Sequence, residues 1–223
     1  MPDLSPTIDG SLIKVGSTWA NTTGDGVDAT NVFTSEQFDN NGINAIDLSA
    51  YSTTQVERCI FEFNTEDIVT TPASATFKVF GKSSGTAGVR GVKCTLASAG
   101  AIVVGDWDSW NESAPVNYTD KIDAGYWSTS TYNTFTLTPK ALADMVSLNR
   151  FQIMLLEADN DYDQSSAGSG LNISAGLYFQ DDTSAGRRPV LSYVEGEGPI
   201  LPTKLKVNSG TINLNGGVVN INS

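Results

Sequence analysis

An acidic segment at residues 157–163 is the part of this sequence whose residue types and spacing are best suited to hold an ion. Its aspartates at alternate positions are Asp159, Asp161 and Asp163. Carboxylate oxygens are the hard ligands that Ca²⁺ prefers, so the spacing predicts a structural calcium site. The segment departs from an EF-hand loop, because Gln164 and Gly170 stand where that loop has glycine and a bidentate glutamate. The alternative is a solvated loop between two strands, and no other cofactor is predicted.

A stretch rich in aromatic residues, between residues 107 and 127, is the second candidate binding site. Its candidate ligand-binding residues are Trp107, Trp110, Tyr126 and Trp127. Aromatic rings carried on loops can stack on sugar rings, so the stretch predicts a carbohydrate-binding surface. The alternative is that these side chains close one end of a β-sandwich while their polar tips stay in contact with water.

Catalysis by the common side-chain sets is not expected, because the chain contains no histidine. That composition excludes Ser-His-Asp and Cys-His nucleophile systems and histidine-ligated zinc. Carboxylate pairs are plentiful, but glycosidase chemistry needs two of them in a defined cleft, and an acidic chain has many by chance. The sequence therefore predicts a protein that is not an enzyme.

The two cysteines, Cys59 and Cys94, each stand among alternating apolar residues. This setting is typical of small apolar side chains in a core. With no sign of an oxidising compartment, the sequence predicts two reduced core thiols, with a disulfide or a two-cysteine metal site as the alternatives.

Composition restricts the partners of the chain. It has 223 residues with 13 Lys and Arg against 25 Asp and Glu, so its net charge is −12. Such a chain repels phosphate backbones, and nucleic-acid binding is not expected.

No apolar run is long enough for a membrane span, and the start at Met1 lacks the basic and apolar regions of a secretory signal. The protein is therefore expected to be made in a cytoplasm, without membrane insertion.

Short apolar–polar alternations separated by turn residues predict an all-β fold, a sandwich or jelly roll. The predicted strands are Ser11–Val15, Val56–Phe63, Ala75–Phe80, Val89–Ala97, Thr134–Thr138, Arg150–Glu157, Ser174–Phe179 and Pro189–Val194. One short helix is predicted, with Thr138 as its cap, Pro139 in its first turn and Asn149 at its end. Its apolar stripe is Leu142, Met145 and Val146, which is expected to cover an open end of the sandwich.

A seven-residue repeat fills the segment from residue 204 to residue 223. Its apolar positions are Leu205, Val207, Ile212, Leu214, Val219 and Ile221. Each unit predicts a short strand closed by a tight Asn-Ser-Gly or Asn-Gly-Gly turn. Because one unit is too small to bury its own apolar face, the repeat predicts an assembly element that stacks on other copies, as a homotrimer. A hairpin on the edge of the preceding domain and a linker are the alternatives.

Several motifs in order along the chain resemble the DNRLRE-type domain. They are Glu57 to Asn64, Pro72 to Phe80, Asp106 to Glu112, Phe135 to Thr138 with Phe151 to Leu156, and Tyr178 to Tyr193 with its Arg-Arg-Pro-Val-Leu core. The resemblance covers roughly residues 9–194 and implies a jelly-roll sandwich related to carbohydrate-binding modules. Domains of this kind occur in secreted surface proteins and in phage particles.

Three segments follow from these patterns: an N-terminal arm at 1–8, a jelly-roll domain at 9–195 and a β-repeat tail at 196–223. The function expected from the repeat, the absent signal and the resemblance is that of a non-enzymatic phage virion protein, a head decoration or a tail fibre or adhesin. Its domain would be displayed on the particle and anchored by the terminal segments to other virion proteins. A carbohydrate-binding module of a secreted or surface protein is the alternative, so glycans are a possible partner.

Overall fold

The computed structural model of the chain describes residues 1–23, 28–34, 42–48, 53–83, 86–98, 100–165, 171–197, 211–214 and 217–220. The first six strands, β1 to β6, are Asp3–Leu4, Ile8–Gly16, Asn31–Phe33, Gly42–Leu48, Thr53–Asn64 and Ser74–Ser83. Strands β7 to β13 are Val89–Lys93, Tyr132–Thr136, Arg150–Glu157, Leu171–Leu177, Val190–Val194, Thr211–Leu214 and Gly217–Asn220. Helix α1 is Ala20–Thr23 and helix α2 is Pro139–Ser147. Short 3-10 turns occur at Val104–Asp108, Ala124–Tyr126 and Ala185–Arg187.

The strands form a sandwich of two antiparallel layers. One layer has the order β3-β2-β5-β9-β7, and the other has the order β1-β11-β6-β8. β4 pairs with the first part of β5 and with β10, and the end of β10 pairs with β6. This strand pair therefore connects the two layers, and the predicted all-β sandwich is confirmed.

The main core lies between the two layers. Alternation along β5 directs Cys59, Phe61 and Phe63 into it. Phe77 of β6 meets Phe61 and Phe63 edge-on, with ring centroids 5.0 and 5.6 Å apart. Each buried phenylalanine contributes about 1.5–3 kcal/mol, so this aromatic cluster supplies much of the contact between the layers.

A second core, here called the outer core, covers the opposite face of β5 and β9. Its apolar members on the strands are Leu12, Val56, Ile60, Val92, Met154 and Leu156. Trp107 and Trp110 pack over them from the segment that follows β7. Antiparallel sheets commonly leave one face in water, whereas both faces of this layer are covered. The candidate site described below lies in this cover.

Both cysteines are buried and free, Cys59 in the main core and Cys94 in the outer core. Burial raises the pKa of each thiol, so both stay protonated at neutral pH. The prediction of two core thiols is confirmed.

Each of the eight strands predicted for the domain is present, and Arg150–Glu157 has the predicted bounds. The sequence did not predict β1, β3, β4 or the one-turn helix α1. β1 and β3 have only 2 and 3 residues, too few to show a period. In β4 the apolar residues Ile43, Ala45, Ile46 and Leu48 break the two-residue alternation, which removes the signal of a strand.

Helix α2 confirms the predicted helix. The hydroxyl of Thr138 accepts a hydrogen bond from the Ala141 amide at 3.3 Å, and proline occupies the first turn. The predicted stripe packs on the main core, with Met145 buried and its two neighbours partly buried. The helix ends at Ser147 with Leu148 as its C-cap, slightly before the predicted end at Asn149.

The predicted N-terminal arm is part of the sandwich. Asp3 and Leu4 pair with Ser192 and Leu191 of β11, and Ile8 already belongs to β2. Residues 1–8 therefore contribute backbone pairing to the domain itself, which corrects the expectation of a separate anchoring arm.

The repeat tail contains a two-stranded antiparallel sheet of its own, formed by β12 and β13. Its register places Ile212 opposite Val219 and Leu214 opposite Gly217. The second and third repeat units thus each supply one of the predicted strands. Leu205, Val207 and Ile221 lie outside the described residues.

Candidate functional site

Arg58 is a fully buried cation on the outer face of β5. It stands between Val56 and Ile60, two members of the outer core on the same face of the strand. Sequence analysis did not single out Arg58 as a site residue. The available signal was a charged residue between two apolar residues that share its strand face.

The guanidinium of Arg58 has acceptors on several sides. Its Nε and Nη2 donate to the two carboxylate oxygens of Asp161 at 2.9 and 2.7 Å, a bidentate pair. Nη1 donates to the carbonyl of Trp107 at 2.9 Å, and Glu112 lies 3.3 Å from Nη2. Burial lowers the pKa of Arg58, but Asp161 and Glu112 more than offset this, so the net shift is upward and the side chain stays charged.

Aromatic rings enclose the same guanidinium. Its central carbon lies 4.0 Å from the ring centre of Trp107 and 5.3 Å from that of Trp110. Trp110 in turn stacks on Tyr162, whose ring faces Arg90 at 4.6 Å. These cation–π and stacking contacts join four separate segments of the chain on the outer face of the sheet.

The three aspartates of the predicted calcium site are not brought together. Asp161 is buried on Arg58, and Asp159 pairs with Lys121 at 2.8 Å, while Asp163 is exposed. Within the described part of the chain, no group of three or more Asp, Glu, Cys or His side chains is placed to hold a metal ion. The guanidinium of Arg58 supplies the positive charge at the position where the sequence suggested Ca²⁺, so the geometry gives the calcium prediction no support.

The predicted aromatic ligand residues do not form one exposed platform. Trp107 and Trp110 belong to the outer core, and Trp127 belongs to the main core, with 0, 4 and 8% of their surfaces exposed. Tyr126 is 80% exposed. Because the three indoles are buried and divided between two cores, stacking on a sugar by this set is not supported. Their ring nitrogens are also buried, so these tryptophans differ from the alternative in which the polar tips stay in contact with water.

Glu157 organises the loop that carries Asp161. Its buried carboxylate accepts backbone hydrogen bonds from Asp159 at 3.0 Å, Asn160 at 2.6 Å and Asp161 at 3.3 Å. Burial raises the pKa of Glu157, and these hydrogen bonds offset part of that rise. The end of β9 therefore fixes the loop in the conformation that delivers Asp161 to Arg58.

A second buried carboxylate, Asp144 of α2, lies under two lysines. Lys93 and Lys140 contact its two oxygens at 3.0 and 2.7 Å, and the hydroxyl of Tyr118 donates to it at 2.6 Å. Burial acts to raise the pKa of Asp144, but the hydrogen bonds from Lys140, Tyr118 and Lys93 outweigh it and lower the pKa to about 2.

Arg187, which precedes the last strand of the domain, pairs with a nearby carboxylate. Its guanidinium contacts Asp182 at 3.0 Å and lies over the ring of Tyr178 at 4.2 Å. Asp182 belongs to the loop after β10. This contact ties the two ends of that loop together.

In these clusters, the buried carboxylates are paired with cationic side chains. The carboxylates of Asp161 and Asp144 are each neutralised by a cation and bound by further donors. Such arrangements fix loops and helix α2 on the sheet, because an unpaired buried charge is costly.

A comparison with protein-family models and with curated proteins found no match to this chain. The resemblance to DNRLRE-type domains stays a prediction, and function is inferred from the geometry. Among the described residues, none of the helices combines the length and apolar character needed to cross a membrane.

Proposed function

We propose that this chain is a non-enzymatic structural protein of a phage virion, a head decoration or a tail fibre or adhesin. Its jelly-roll domain is displayed on the particle, and its repeat tail joins copies of the chain as a homotrimer and attaches them to other virion proteins. The observation that carries the proposal is the seven-residue repeat whose second and third units pair as β12 and β13.

The size of this paired unit is the physical argument. Each strand has 4 residues, and an isolated two-stranded hairpin is marginally stable at best in water. Repeat units of this kind gain stability when equivalent units stack on them. A second and a third copy of the same chain supply equivalent units by symmetry.

The rest of the molecule is compatible with display on a particle. The N-terminal segment is paired within the sandwich, which leaves the tail as the segment for attachment. A net charge of −12 favours solubility when many copies are crowded together. The resemblance to DNRLRE-type domains adds a phage or cell-surface setting.

The first test compares the mass in solution of the full chain with that of a chain ending at Val194. Light scattering is expected to give a trimer for the full chain and a monomer for the shortened one. Equal monomeric masses over a wide range of protein concentration would contradict self-assembly through the tail.

The virion setting needs a separate test. Antibodies against the domain are expected to label one part of the particles released by cells that carry this gene, when viewed by electron microscopy. Labelling of the bacterial surface in the absence of particles would favour the alternative, a secreted or surface carbohydrate-binding module.

A further inference from the structure

A groove beside helix α2 is lined by cations in an otherwise acidic protein. It consists of two adjoining depressions of about 280 and 460 Å³ that share Lys93 and Thr95. Lys140 lines the smaller depression and Arg150 lines the larger one. Among the residues that the structure describes, no carboxylate lines either depression, although the chain has 25 acidic residues against 13 basic ones. The lining therefore has the charge of a site for an anion.

The two lysines keep donors for a ligand. Lys93 and Lys140 share a single partner, the buried carboxylate of Asp144. Two positive charges against one negative charge give this part of the groove a net positive charge. An ammonium group has three donors, and Asp144 lies beneath the groove rather than in its lining. The side chains of Lys93 and Lys140 are 31 and 55% exposed, so a ligand in the groove can reach them.

The cations are spread along the groove. In the pairing of β7 with β9, Lys93 lies opposite Ile153, and Arg150 stands three residues before Ile153, at the start of β9. That separation is roughly 10 Å along the strand, more than one small anion can bridge. Arg150 pairs with Glu62, and the next depression, lined by Glu62 and Glu66, ends the positive region. The groove thus fits an extended ligand with repeated negative charges.

The remaining lining supplies neutral hydrogen-bonding groups. Thr95, Asn111 and Asn149 are exposed in the groove and present a hydroxyl and two amides. Such groups suit the hydroxyls of sugar rings, while the net charge of −12 disfavours a nucleic acid. We propose that the groove binds an acidic polysaccharide, with sugar carboxylates on Lys93, Lys140 and Arg150. This inference does not depend on assembly through the tail, and its residues differ from the aromatic set of the sequence analysis.

The test is an NMR titration of the full chain with trigalacturonate and with a hyaluronan tetrasaccharide. The amides of Thr95 and Asn149 are expected to shift with at least one of these probes, and the affinity is expected to fall as salt is added. The methyl ester of trigalacturonate, which keeps the sugar rings and removes the charges, is expected to bind at least fivefold more weakly, roughly the effect of one exposed ion pair.

Matched variants locate the site. Lys140→Gln and Lys93→Gln each leave the other lysine on Asp144, and each is expected to weaken binding by roughly fivefold. Lys121→Gln, which changes a half-buried lysine paired with the exposed Asp123 and Asp159, is the control and is expected to bind as the unmodified chain does. The proposal would be overturned if neither acidic probe binds, or if the methyl ester binds as tightly as trigalacturonate. It would also be overturned if Lys121→Gln weakens binding as much as the groove variants do. Equally tight binding of hexaglutamate would overturn it in favour of an acidic peptide.

Discussion

Arg58 contacts residues of both candidate binding sites that the sequence suggested, the calcium site and the aromatic site. Its guanidinium binds the carboxylate of Asp161 and lies against the ring face of Trp107, so one member of each set is used inside the protein. Replacing Arg58 with Met leaves Asp161 buried without its counter-charge, and we expect a loss of about 3–5 kcal/mol in the free energy of unfolding, measured in urea.

An exposed ion pair provides the control for this substitution. Lys121→Ala removes a lysine whose partners Asp123 and Asp159 are 61 and 53% exposed, so its expected cost is below about 1 kcal/mol. The double substitution of Arg58 to Met and Asp161 to Leu is expected to recover part of the loss, because the Asp161 carboxylate is then no longer buried without its counter-charge. A cost for Arg58→Met no larger than that of the control would refute the structural role of the pair.

Asp144 makes stability depend on pH in a definite direction. Its pKa in the folded chain is about 2, against about 3.9 for an unperturbed aspartate. The stabilisation is therefore fully present above about pH 4 and is lost as the pH falls through about 2. Between pH 5 and pH 2, we expect the Asp144→Asn variant to lose less free energy of unfolding than the unmodified chain. Glu157, whose pKa is raised, is unchanged in both chains, so the difference isolates Asp144.

The sequence shows which residue types occur in a segment, but it does not show which residues they contact in the fold. The acidic and aromatic segments were visible as patterns, but their partners lie far away along the chain. Asp161 is 103 positions from Arg58, and only the folded sheet brings them within hydrogen-bonding distance. The spacing of these residues therefore suggested that they bind external ligands, whereas in the folded protein their partners are other residues of the same chain.

At the scale of elements, prediction succeeded where one face of a strand is apolar for several residues. β5, β6 and β9 show such alternation and were placed within a few residues of their bounds. The sequence did not predict β4, because its apolar residues break the two-residue alternation. It did not predict β1, because the pairing of β1 with β11 depends on the fold. A strand with a regular apolar–polar alternation can be predicted from its own sequence. The formation of a short edge strand depends on the strand with which it pairs, so its own sequence does not reveal it.

Strand β6 passes close to the segment that carries Trp127, and Gly81 makes this approach possible. A Cβ at Gly81 would lie 2.0 Å from the carbonyl oxygen of Ser128 and 2.9 Å from the Trp127 indole nitrogen. We expect Gly81→Ala to lower the free energy of unfolding by at least about 2 kcal/mol, because backbone must move to relieve the clash. Gly125→Ala, where nothing lies within 4 Å, is the control and is expected to change it by less than about 0.5 kcal/mol. Equal thermal midpoints for the two variants would contradict this close packing.

The start of helix α2 depends on one hydroxyl. Thr138 accepts from the Ala141 amide and donates to the carbonyl of Asn117 at 2.9 Å. Thr138→Ala is expected to cost about 1 kcal/mol in thermal or urea unfolding, whereas Thr138→Ser keeps the hydroxyl and is expected to retain most of the stability. If serine and alanine are equally destabilising, the methyl group rather than the cap is responsible.

At the scale of the whole molecule, the beginning and the last strand of the domain meet at one edge. The Tyr193 amide donates to the Pro2 carbonyl at 3.2 Å, next to the pairing of β1 with β11. The chain after β11 therefore leaves the sandwich beside its own N-terminal strand. The repeat tail is therefore covalently joined to the domain at this edge.

The register of the tail allows assembly to be tested without shortening the chain. Ile212 pairs with Val219, and the next pair, Asn213 with Val218, belongs to the opposite face by the two-residue period of a strand. If the repeated apolar positions mediate stacking, Asn at both Ile212 and Val219 is expected to convert the trimer to a monomer in light scattering. Asn at Val218 alone, a change of the same chemistry at the neighbouring pair, is expected to leave the trimer intact. Dissociation by both changes would show that strand stability rather than one apolar face holds the copies together, and dissociation by neither would separate the repeat from assembly.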